Sequence, residues 1–129
     1  MIRSIFAVIG AILTWFVVAT IYNWLLRAGL SGYSAVEKSM DFSLVMLLCR
    51  LGLGLVSSFC SGAACAAIAS PRSRAATAAA IVLLLLFLPV HYMLLNKFPI
   101  WYHLFFLVTL PIFVLLGAMT YRKLCPGKL

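Results

Sequence analysis

Acidic residues are nearly absent from this chain. Glu37 and Asp41 are the only two among 129 residues, against ten Lys and Arg, and charges of both signs make up 9% of the sequence. A soluble domain carries roughly a quarter of its residues as charges, so a soluble fold is excluded. Low polarity excludes disorder, the absence of a glycine period excludes collagen, and four cysteines without dense spacing exclude a disulfide scaffold. No carboxylate falls inside an apolar stretch, which argues against a proton-coupled carboxylate transporter. No serine–histidine pair has a defensible orienting acid, so no enzyme is expected and no catalytic residue is assigned. There is no C-x-x-C: Cys49, Cys60 and Cys65 read as small apolar packing residues, and Cys125 sits in the basic tail as a conceivable lipidation point.

What is there is apolar surface. Hydrophobic residues make up 66% of the chain and the mean hydropathy is +1.18. Four runs dominate, at about 4–26, 42–69, 75–96 and 99–121, and each exceeds the roughly 20 residues that cross a bilayer core as a helix. Their length and lack of period-2 alternation exclude an outer-membrane barrel. The fold class is therefore an all-α integral membrane protein, a single domain spanning 1–129, with four transmembrane helices in an up-down bundle. The first run is too long for a signal-peptide core and reads as a retained helix.

The basic residues lie at the ends of the runs and form no patch interleaved with aromatics, so the lipid bilayer rather than nucleic acid is the expected partner. With four spans, Arg3, Arg72, Arg74, Arg122, Lys123 and Lys128 share one side. Arg27, Lys38 and Lys97 share the other with both acids. The positive-inside rule then makes the N and C termini cytoplasmic, in the cytoplasmic (inner) membrane of a bacterium. Trp24, Trp101 and Tyr102 fall at the outer interface and Tyr121 at the inner one, whereas Trp15 lies mid-helix and is expected to pack inward.

The only long connection is the outer loop 27–41. Ser34 and Glu37 match a capping box, and a helix running from there to Ala69 would be about 52 Å long. That exceeds the bilayer, so either the helix projects outward or a short interfacial helix bends near Asp41, and the bend is preferred. The tight turns at 70–74 and 97–99 predict that the second and third spans, and the third and fourth, are close neighbours.

Gly54, Ser58, Gly62 and Ala66 place small residues at every fourth position of the second span, a stripe that lets another backbone approach closely. The alanines opening the third span are expected to face it across the turn. The same stripe suits a homo-oligomer or a larger membrane-protein partner.

Arg50 lies about nine residues, roughly 13 Å, inside the second span, at a cost of at least ~2.5–3.5 kcal/mol on insertion scales. It is in register with the small stripe, so it points toward packed helices. His91 and His103 flank the outer turn at matching depth. Asn23, Arg50, His91, Tyr102 and His103 therefore predict a polar cluster in the outer half, while the inner half is Ala, Gly and Leu. Three readings of the histidines stay open: axial ligands of haem b, hydrogen-bonding partners of a quinone, or polar residues bonding backbone carbonyls that Pro89 and Pro111 free. No resident cofactor or metal is expected. Two functions follow. The first is a non-enzymatic accessory or structural subunit docking through the small-residue faces. The second is a membrane binding or transport module that takes a small anionic or quinone-like ligand at the Arg/His cluster.

Overall fold

In a computed structural model of the chain, residues 2–30, 32–37, 42–70 and 73–125 are described. Within them the protein is all helical: α1 (Ile2–Gly29), α2 (Tyr33–Glu37), α3 (Leu44–Ile68), α4 (Ala75–Met93) and α5 (Ile100–Leu124), with no strand among the described residues. The four long helices are each long and apolar enough to cross a membrane, as in an integral membrane protein. Most of their surface is apolar and exposed, including Phe6, Leu13, Trp24, Leu85 and Ile100. In water that surface would drive aggregation; in lipid it is the natural outer face.

The helix ends differ from the sequence expectation for local reasons. Helix α1 runs past Arg27 to Gly29. The left-handed turn comes at Gly32, with φ +81°, a conformation that glycine adopts without steric penalty. Helix α3 begins after Ser43, whose hydroxyl accepts from the Met46 amide at 3.4 Å. Helix α4 ends at Met93 rather than Asn96, since the chain coils into turns over 94–97 before Pro99 starts α5. Helix α2 is separate from α3, the second of the two arrangements that the length argument allows. The Ser34 and Glu37 side chains, Lys38 and Asp41 lie outside the described residues and atoms, as do Pro71, Arg72 and Lys128.

The alanines that open α4 share a buried core with Cys65 and Ala66 of the second span, as expected, but the main partners of the small stripe lie elsewhere. Helix α3 packs most extensively against α5 and α1, and only lightly against α4. A Cβ on Gly62 would run into the Val114 carbonyl, and a Cβ on Gly117 into the Phe59 carbonyl. The two glycines thus hold α3 and α5 backbone against backbone. Ser58 is buried against α1, where the Trp15 indole donates to its hydroxyl at 3.1 Å. The Ser58 hydroxyl donates in turn to the Gly54 carbonyl at 2.7 Å. Ser61 donates to the Ala11 carbonyl of α1 at 2.7 Å. In lipid there is no hydrophobic drive between helices, so such close approach and bonding hold them together. The short 70–74 connection limits where α4 can start but does not make it the best-fitting neighbour. That neighbour is α5, whose Gly117 matches Gly62.

The interior is divided by side-chain size. At one end Ala7, Ala11, Cys65, Ala66, Ala75, Ala79 and Ala118 form an alanine-rich core. There Arg3 Nε donates to the Ile68 carbonyl at 2.6 Å and Ser4 hydrogen-bonds Ser73 at 3.1 Å. At the other end Trp15, Leu47, Leu51, Leu83, Phe98, Tyr102 and Phe106 fill the space. Small residues draw the helices together at the first end, and aromatic rings hold them apart at the second. Asn23, Arg50, His91 and His103 lie toward the second end.

Candidate functional site

Gly32 turns the chain so that Tyr33, the first residue of α2, enters the interior, where it is 0% exposed. Its hydroxyl donates to Asn23 Oδ1 of α1 at 2.8 Å and accepts from Arg50 of α3 at 2.7 Å. The guanidinium also stands over the Phe42 ring, 4.8 Å from its centroid, a favourable cation–π placement. Asn23, Tyr33 and Arg50 are thus one chain of hydrogen bonds across three helices. The sequence reading placed Asn23 and Arg50 in the cluster and missed Tyr33. Only the glycine two residues after Leu30 hinted that the loop folds inward.

Tyr102 is 3% exposed and lies in the core against Phe98. It is not part of an interfacial aromatic belt, because its position on α5 turns it toward α3 while Trp101 takes the exposed side. Trp24 and Trp101 are exposed and Trp15 is buried, as expected for each.

His91 of α4 and His103 of α5 come together, Nδ1 to Nδ1, at 2.7 Å, and are 6% and 3% exposed. One imidazole must donate and the other accept, so the contact requires the accepting ring to be neutral at Nδ1. Neither ring is recruited to a backbone carbonyl by this bond; the depth match that the turn imposes has paired them with each other. The arrangement does not fit haem. A metal sits about 2 Å from each imidazole nitrogen, so bis-histidine ligation needs roughly 4 Å between nitrogens with a macrocycle in the gap. Here the rings touch, with centroids 4.9 Å apart. Among the described residues no three His, Cys, Asp or Glu side chains are grouped to hold a metal ion.

Three voids meet this layer. A small, partly open cavity of about 90 Å³ is bounded by Arg50, His91, Tyr102 and the rings of Trp15, Phe87 and Phe106. A groove of about 270 Å³ between α1, α3 and α4 has Asn23, Thr20 and Arg50 in its wall. On the far side, a groove of about 690 Å³ between α4 and α5 has both histidines in its wall. The structure thus brings together all five predicted cluster residues: Asn23 and Arg50 through Tyr33, Arg50, Tyr102 and His91 around the cavity, and His91 with His103. Among the described residues three buried side-chain polar atoms lack a hydrogen-bond partner, Arg50 Nε, Ser57 Oγ and His103 Nε2. Two of the three belong to this layer. Buried polar groups are almost always satisfied, so their concentration here marks the layer as the candidate site.

Gly54, Ser58, Gly62 and Ala66 line no part of this layer's voids. They are buried within the chain. Compared with protein-family models, curated proteins and solved structures, the chain matches none.

Proposed function

We propose that the protein is a bacterial inner-membrane protein whose four spans run up and down with both termini cytoplasmic, and that it binds a small amphiphilic anion at Arg50. The observation that carries the binding reading is the position of one guanidinium. Arg50 is held by Tyr33 and lines both the small, partly open cavity and the α1/α3/α4 groove. A planar, permanently charged donor fork in an apolar wall suits a carboxylate or phosphate whose tail stays in lipid.

The test uses the full chain in detergent and a medium-chain fatty carboxylate as probe, with the matching alcohol as control. Arg50→Gln is expected to weaken carboxylate binding roughly ten- to hundredfold, the equivalent of one charged hydrogen bond at about 1.5–3 kcal/mol. Equal binding of the alcohol, or an unchanged affinity in Arg50→Gln, would remove the reading.

The up-down order is supported by the contacts. Residue numbers rise together along α3 and α5 (Gly54 by Phe106, Gly62 by Val114). They run oppositely along α1 and α3 (Arg3 by Ile68, Trp15 by Ser58) and along α4 and α5 (Phe87 by Phe106, His91 by His103). Arg3 and Arg74 flank the alanine-rich end and α5 closes there with Arg122 and Lys123, which the positive-inside rule assigns to the cytoplasm. A fluorescent-protein fusion after residue 125 is expected to fluoresce, and an alkaline phosphatase fusion at Lys97 to be active. The reverse pattern would invert the orientation.

An accessory-subunit role has less support. Its docking stripe of Gly54, Ser58, Gly62 and Ala66 is buried inside the chain, so a partner or second copy would have to use the larger apolar side chains of the outer face.

A further inference from the structure

At the alanine-rich end a groove of about 490 Å³ runs between α1 and α4, away from the polar layer. Its walls are Ile5, Val8 and Ile9 of α1 and Ala75, Ala78 and Val82 of α4, and the two alanines are too short to fill the space between the helices. Every polar residue of the groove is at one end: Ser4, Ser73 and Arg74. Both helices start at that end, so residue number measures depth. From Arg74 to Val82 is about 12 Å, most of the roughly 15 Å that one leaflet contributes to a hydrocarbon core of about 30 Å. The groove therefore changes polarity once along its length, as an amphiphile does.

The second observation is the donors at that end. The Ser4 and Ser73 hydroxyls are half-buried and 3.1 Å apart, and Ser73 Oγ also accepts from the Ala75 amide at 2.9 Å. Whichever serine donates to the other, the contact uses one of their two hydroxyl protons and leaves one for a further acceptor. Arg74 is exposed, and no hydrogen bond or ion pair among the described residues holds its guanidinium. Arg3 is next to Ser4, and α5 closes at the same end with Arg122 and Lys123. The chain's two acids, Glu37 and Asp41, fall in the 27–41 connection at the other end of α1, so no carboxylate competes for these cations.

We propose that this groove holds an anionic membrane phospholipid. A phosphate oxygen accepts from Arg74 and from the spare hydroxyl of the serine pair, and one acyl chain lies between Ile5, Val8 and Val82. The guanidinium fork matches a phosphodiester in charge and geometry, and basic pockets between membrane helices suit such head groups. A wholly apolar occupant would leave the cation and the hydroxyl unmatched, and a soluble phosphate would leave the apolar length uncovered. The site lies at the opposite end of the bundle from Arg50 and does not depend on anion binding there.

The experiment is native mass spectrometry of the full chain in a non-ionic detergent, titrated with dioleoyl phosphatidylglycerol or, as control, dioleoyl phosphatidylcholine. One phosphatidylglycerol per chain is expected to be held about fivefold or more tightly than the control, the equivalent of about 1 kcal/mol for one basic residue at a membrane surface. Arg74→Gln is expected to remove that preference. Ala78→Phe fills the groove from an exposed position and is expected to weaken phosphatidylglycerol binding about fivefold at an unchanged thermal midpoint. It therefore tests the site even where Arg74→Gln disturbs folding. Arg122→Gln removes a charge at the same end but outside the groove, and is expected to keep the preference. Equal retention of the two lipids would overturn the proposal. So would a preference that survives both Arg74→Gln and Ala78→Phe, or a loss in Arg122→Gln equal to that in Arg74→Gln. Full competition by inorganic phosphate at matched concentration would also overturn it, since the acyl chain would then contribute nothing.

Discussion

Gly62→Val is expected to destabilise the protein more than any other single substitution at a small residue, by about 3 kcal/mol or more, the upper end of overpacking costs. The reason is what the new atoms meet. A Cβ at Gly62 collides with the Val114 carbonyl and approaches the Ala118 amide, both backbone atoms of α5. A side chain in the way can change rotamer; a helix backbone can yield only by moving the helix. Separating α3 from α5 also lifts Gly117 off the Phe59 carbonyl and loosens Phe106 on Gly54, so one substitution opens the whole seam. Nothing replaces the lost contact, since lipid solvates the exposed faces as well as a partner helix does. Gly29→Ala is the control, because a Cβ there meets nothing within 4 Å. It is expected to be neutral or to stabilise by up to about 1 kcal/mol through reduced freedom of the unfolded chain. Thermal unfolding in detergent, followed through tryptophan emission, compares the two. Similar midpoints for Gly62→Val and Gly29→Ala would mean that α3 and α5 do not meet at these glycines.

Tyr33→Phe has the largest expected effect among the polar residues. Removing one hydroxyl takes a hydrogen-bond partner from two groups at once, the Asn23 carbonyl oxygen and one Arg50 amino group, beside a ring that is itself fully buried. Leaving a buried polar group unsatisfied costs about 1–3 kcal/mol, while measured hydrogen bonds between membrane helices average about 0.6 and reach about 1.7 kcal/mol. A loss of about 2 kcal/mol is therefore expected. The effect should be smaller in a background that has already lost the partners, so Tyr33→Phe on top of Asn23→Leu and Arg50→Met is expected to lose far less. A cycle built from these variants separates the network from simple ring packing. Equal losses in both backgrounds would show that the hydroxyl contributes nothing through Asn23 and Arg50.

Tyr33 also shows where sequence reasoning reached its limit. Arg50 stands out from composition alone, because a charge inside an apolar run has a known cost and must have a reason. His91 and His103 could be placed at equal depth by counting from the Phe98–Pro99 turn. Their direct Nδ1 contact could not, because depth specifies height along the helices and leaves rotation open. Tyr33 carried no signal of this kind: tyrosine is common at membrane edges, and its burial follows from one left-handed glycine. Tyr102 reads from the sequence both as an interface residue and as a member of the polar cluster; one step of helical rotation separates it from the exposed Trp101 and turns it into the core beside Arg50 and His91.

The sequence by itself determined the helical class, the four apolar segments, the separation of a short helix from α3, and the division into an alanine-rich half and a polar half. These depend on quantities that add up along the chain: hydropathy, length against bilayer thickness, and charge placement. Only the tertiary structure decided which helices meet most closely, that the small stripe is used against α5 and α1 more than against α4, and that Arg50 and His91 share one cavity while the histidine pair also lines the α4/α5 groove. Those outcomes depend on how each helix is rotated about its axis. In helices apolar on nearly every side, no hydrophobic face specifies that rotation. It is set instead by the fit of Gly62 to Val114, of Gly117 to Phe59 and of Trp15 to Ser58, contacts that exist only once the helices are assembled.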